Sequence, residues 1–75
     1  MSLQECTEAL RSGGAIRIDA GDFSQSDLEA AASEARRTRA RLIISNLLKG
    51  RTPDDIYRIA EAGGRQVCFS DIHLI

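Results

Sequence analysis

Ala15-Ile16-Arg17-Ile18-Asp19 puts two isoleucines on one side of an extended segment and an arginine and an aspartate on the other. Side chains alternate along a strand with period two, so the segment reads as a β-strand with one dry and one wet side. A strand covered on both faces would be apolar throughout, and this one is not. Leu42 and Ile44, then Val67 and Phe69, repeat the pattern at nearly equal intervals, alternating around Ile43 and Cys68.

Each of these segments follows a helix signal. Ser2-Leu3-Gln4-Glu5, Ser24-Gln25-Ser26-Asp27 and Thr52-Pro53-Asp54-Asp55 all begin with a hydroxyl that can accept from a backbone N–H of the first turn. The acid three residues on can answer back, which makes each a capping box. Aligned on these boxes, Cys6, Leu28 and Ile56 share a position, as do Ala9, Ala31 and Ile59, and Leu10, Ala32 and Ala60. That spacing is one apolar helix face. Gly13-Gly14, the basic run Arg36 to Arg39, and Gly63-Gly64 supply the helix ends.

The order is therefore αβαβαβ, in three units spanning 2–20, 24–46 and 52–71 of a single α/β domain. Helical connections of this length join parallel strands, with right-handed crossovers. The wet side of the first strand favours a parallel three-stranded sheet of order 1-2-3 with all helices on one face, a solenoid-like stack of three αβ repeats. The alternative is a three-layer α/β fold of order 2-1-3.

Ile16-x-Ile18-x-x-Gly21-x-Phe23-Ser24 and Val67-x-Phe69-x-x-Ile72-x-Leu74 resemble the LxLxx(N/C)xL core of leucine-rich repeats. The Ser/Thr that follows resembles the residue opening the convex helix in the ribonuclease-inhibitor type. In the middle unit, Leu47 stands where that pattern has Asn or Cys. The resemblance implies a curved slab whose bare sheet face does the binding.

Composition narrows the functional classes. At 75 residues the chain holds one domain and buries about 60 % of the surface of its unfolded form. Ten basic and eleven acidic residues give a net charge of -1, unlike a surface built throughout for nucleic acid or anionic lipid. No segment reads as a signal peptide or a membrane span, so a cytoplasmic location and no membrane partner are expected. Cys6 and Cys68 form neither a disulfide framework nor a set of zinc ligands. No cofactor and no metal are expected.

Three groups of residues are left as candidates. On the wet sheet face, Arg17, Ile43 and Cys68 form one column across the strands, between Ala15, Arg41 and Gln66 on one side and Asp19, Ser45 and Ser70 on the other. A rigid grid of side chains with a small apolar centre suits a protein partner. Arg36, Arg37, Arg39 and Arg41 form a basic run suited to phosphate, although basic residues at a helix end also complement its dipole. The apolar tail of Ile72, Leu74 and Ile75, with the uncovered third strand, suits a contact between copies in a homo-oligomer. Cys68, Asp71 and His73 are the only arrangement with catalytic residue types, and a small repeat domain offers them no enclosed pocket, so the chain is not expected to be an enzyme.

Overall fold

The computed structural model describes residues 2–47 and 51–70. Helix α1 (Leu3–Arg11) leads into strand β1 (Ala15–Asp19) and a 3-10 turn (Ala20–Asp22). Helix α2 (Gln25–Thr38), strand β2 (Arg41–Ser45) and helix α3 (Pro53–Gly63) follow. A second 3-10 turn (Gly64–Gln66) precedes strand β3 (Val67–Phe69).

All three helices start at the hydroxyls named above. Ser2 Oγ accepts from the Glu5 N–H at 3.2 Å while Glu5 accepts from the Ser2 N–H at 3.1 Å. Thr52 and Asp55 repeat the exchange at 3.2 and 3.4 Å. The expected box at Ser24 forms only by half: its hydroxyl accepts from the Asp27 N–H at 3.2 Å with no return bond. Aspartate is one carbon shorter than glutamate, which makes the return reach marginal even at Thr52. Such caps contribute about 1 kcal/mol each.

The sheet is parallel, with order β1-β2-β3 and not 2-1-3. Two crossovers of the same hand, stepping in the same direction, put α2 and α3 on one face. Layers pack about 10 Å apart. The shortest dimension of the fold, 16 Å, accommodates one sheet and one helix layer.

One core fills the space between them. Ile18, Leu42 and Ile44 from the sheet meet Cys6 and Leu10 of α1, Leu28, Ala31, Ala32 and Ala35 of α2, and Ile59 of α3. Full burial of each large aliphatic side chain contributes about 1.5–3 kcal/mol. The alanine stripe lets α2 lie close to the sheet, flanked by α1 and α3. At the end of the row, α3 leaves Ile56 and Ala60 only half-buried.

Gly63 does more than end a helix. A Cβ there would lie 1.9 Å from Val67 Cγ2 and 3.2 Å from Ala32 Cβ, so the absent side chain is what lets α3 cross β3 and α2. Gly64, at φ 58° and ψ -132°, then makes the reversal that a residue with a Cβ resists.

Candidate functional site

The strand register brings the predicted column together. Arg17 pairs with Ile43 and Ile43 with Cys68, on the side of the sheet away from the core. Arg17, Arg41 and Cys68 are exposed and Ile43 is half-exposed. Arg41 pairs with Ala15, which places it two residues before Ile43 on the same side. The guanidinium groups of Arg17 and Arg41 carry no side-chain hydrogen bond or ion pair. Gln66 lies in the turn before β3, half-buried, and not in the strand. Glycine-led reversal at residue 64 delays the strand until Val67.

The third column is a structural seam. Ser45 Oγ donates to the Ile18 carbonyl and Ser70 Oγ to the Ile44 carbonyl, both at 3.2 Å, so each hydroxyl ties a strand end to its neighbour. Asp19 accepts from the Gly21 N–H at 2.8 Å and from Asn46 Nδ2 at 2.6 Å. Beside them, an open cleft of about 340 Å³ is bordered by Asp19, Gly21, Asp22 and Asn46. It lies outside the carboxyl ends of the strands, a usual place for ligands in open parallel sheets. Its central carboxylate, however, already holds the turn and the Asn46 side chain. Asn46 itself, at φ 57°, occupies a left-handed conformation that asparagine tolerates.

The arginines divide sharply by role. Glu34 of α2 accepts from Arg37 and, at 3.1 Å, from Arg11 of α1. Arg37 first, then Arg11, hold the Glu34 carboxyl below its ordinary value, and Glu34 in turn raises Arg37. Arg51 donates to Gln25 Oε1 at 3.2 Å and to the Phe23 carbonyl at 3.0 Å. Gln25 Nε2 continues the network to the Asp55 carbonyl at 3.0 Å, joining the start of α2 to the start of α3. Arg36, Arg39 and Arg65, like Arg17 and Arg41, have no side-chain partner. Of the basic run, Arg37 is thus engaged within the fold while Arg36, Arg39 and Arg41 are free.

The two cysteines differ in the same way. Cys6 is fully buried, and burial pushes its thiol up. Cys68 is exposed on the open face. His73 and Asp71, the residues nearest to it in sequence with acid or base chemistry, lie outside the described residues, as do Ile72, Leu74 and Ile75. Among the described residues, no three His, Cys, Asp or Glu side chains are grouped to hold a metal ion, and no helix is long and apolar enough to cross a membrane.

Sequence reading missed Arg51, Gln25, Asn46 and Arg65. Arg51 sits in a segment that looks like plain loop, and no periodic signal marks a side chain that bonds residues some thirty positions away. Arg65 is separated from the basic run by a whole helix and joins it only in the fold. No protein-family model, no curated protein and no solved structure matches the chain.

Proposed function

We propose that the chain is a small interaction module, a short solenoid-type slab of leucine-rich-repeat character that docks a protein partner on its bare sheet face. The observation that carries this reading is the pair of unpartnered guanidinium groups, Arg17 and Arg41, beside the half-exposed Ile43. Two cations flanking an alkyl side chain complement a segment that presents carboxylates around an apolar residue. Asp19 is the one acid in the three columns, and its hydrogen bonds to Gly21 and Asn46 leave the cations uncompensated. The strands beneath are held by the core and by the serine seam, so the grid is rigid and binding orders little of the protein itself.

Titration of the isotope-labelled chain with a peptide alternating Glu and Leu tests the reading. Amide shifts are expected at Arg17, Ile43 and Cys68, with none from a peptide alternating Lys and Leu. Ile43→Lys and Arg17→Glu should each weaken the interaction about tenfold or more, as loss of a central anchor does. Equal response to both peptides would overturn it. Sedimentation of the free chain, whose single copy weighs 8.2 kDa, separates a protein partner from self-association, the homo-oligomer also expected from the sequence. A doubled mass abolished by Ile43→Lys would make a second copy the occupant instead.

A further inference from the structure

Each helix presents one row of side chains to the helix after it and another to the helix before. Arg11 of α1 reaches forward to Glu34 of α2, and Gln25 of α2 reaches forward to the Asp55 carbonyl of α3. Residues three or four apart share a side of a helix, so Thr7 and Glu29 lie in these forward rows beside Arg11 and Gln25. Both are half-buried. Tyr57 holds the same place relative to the cap of α3, and there no described helix follows. It is 65 % exposed, the one exposed large apolar side chain among the described residues.

The rows that look back show the same break at the opposite end. Ala31 and Ile59, which share the sides of Glu34 and Asp55, are fully buried. Ala9 is their counterpart in α1, which no described helix precedes, and it is only half-buried. The sheet agrees. Leu42 and Ile44 in the middle strand are fully buried, whereas their register partners in β3, Val67 and Phe69, are half-buried, and no described strand lies beyond them. One end of the molecule thus carries the forward half, and the other the backward half, of a contact that the chain makes twice within itself.

We propose that the α3–β3 end is covered by the α1–β1 end of a second copy, head to tail. Carried one step further, the internal register sets Ile16 and Ile18 of the next copy beside Val67 and Phe69, and its Ala9 opposite Tyr57. A small side chain there leaves room for the ring, and the outer edge of β3 gains a parallel partner. Where Arg11 meets Glu34 inside the chain, the same step brings Glu61 to Ser12, so no like charges oppose one another at that point. Because the two surfaces differ, copies add in a row and do not close as a pair. The inference rests on the stacked architecture of the reading above, but not on the sheet face or its acidic partner.

Sedimentation equilibrium over a concentration series tests it. The average mass should climb from one copy, 8.2 kDa, past two copies as concentration rises into the millimolar range. Tyr57→Lys at one end and Ala9→Lys at the other should each weaken association about tenfold or more, with helical circular dichroism intact. An equimolar mixture of the two variants separates this contact from a symmetric one. Each variant keeps one intact end, so the mixture should form pairs and nothing larger. Ile43→Lys should leave the climb unchanged, so that failure of the sheet-face reading and failure of this one are read apart. A mass of one copy at every concentration would overturn the proposal, as would a plateau at two copies, a climb abolished by Ile43→Lys, or a mixture of folded variants that stays single.

Discussion

The two ends of the sheet carry opposite charge and treat it differently. Where the strands finish and the helices begin, Glu5, Asp19 and Asp55 accept bonds from backbone N–H groups. Where the helices finish and the strands begin, Arg36, Arg39, Arg41 and Arg65 reach into solvent with no partner. Both arrangements suit the helix dipoles, because a parallel α/β fold points every helix N-terminus one way. At the acidic end charge becomes hydrogen bonds to the backbone, whereas at the basic end Glu34 draws in only Arg11 and Arg37. Short carboxylates near free N–H groups become part of the backbone, whereas long guanidinium side chains extend past the carbonyls and stay available. Charge at one end is bonded to the backbone; at the other, the guanidinium groups of Arg36, Arg39, Arg41 and Arg65 carry no bond.

Substitutions can break this contrast. The largest effect is expected at Gly63, where α3 crosses β3 and α2. Gly63→Ala forces a methyl into Val67 and should cost about 3 kcal/mol, read by urea unfolding, the upper range of overpacking. It displaces β3 and Arg65 together. At the acidic end, Asp19→Ala removes the bond to the Gly21 N–H and the partner of Asn46, for an expected loss of about 1–2 kcal/mol in the same assay. Arg36→Ala and Arg65→Ala at the opposite end should stay within about 0.5 kcal/mol of the parent. If these arginines cost as much as Asp19, the distinction between working and free charge fails.

The smallest effect is expected at Glu34, where the basic side does use its charge. Arg37 and Arg11 depress its folded-state pKa, so the stability it contributes is present above its ordinary value and is lost as pH falls through the lowered one. Glu34→Gln should therefore lower the melting temperature slightly at neutral pH and converge with the parent under strong acid. Thermal melts from neutral to acidic pH would show the two curves merging.

Much of this molecule was legible because its signals are local and periodic. Ser2, Ser24 and Thr52 announce helix starts through bonds within one turn, and alternation around Arg17 assigns each strand residue to a side. The near-equal spacing of the strand segments aligns Arg17, Ile43 and Cys68 in one row, as the parallel register does. What stayed hidden depends on contacts between distant segments. Nothing near Glu34 in the chain names Arg11 as its partner, and the Arg51 network depends on how the segment before α3 returns to α2. Gly63-Gly64 reads as a helix terminator, and its tighter constraint, the crossing with Val67 and Ala32, exists only between packed elements.

From its residues alone, the chain determined an αβαβαβ order, the capped helices and a sheet with one wet side, since hydrophobic period and capping act over a few neighbours. The tertiary structure decided which charges are occupied and which are free. That choice rests on where side chains from separate units meet, and a guanidinium is bound or unbound only in relation to what folding brings within its reach.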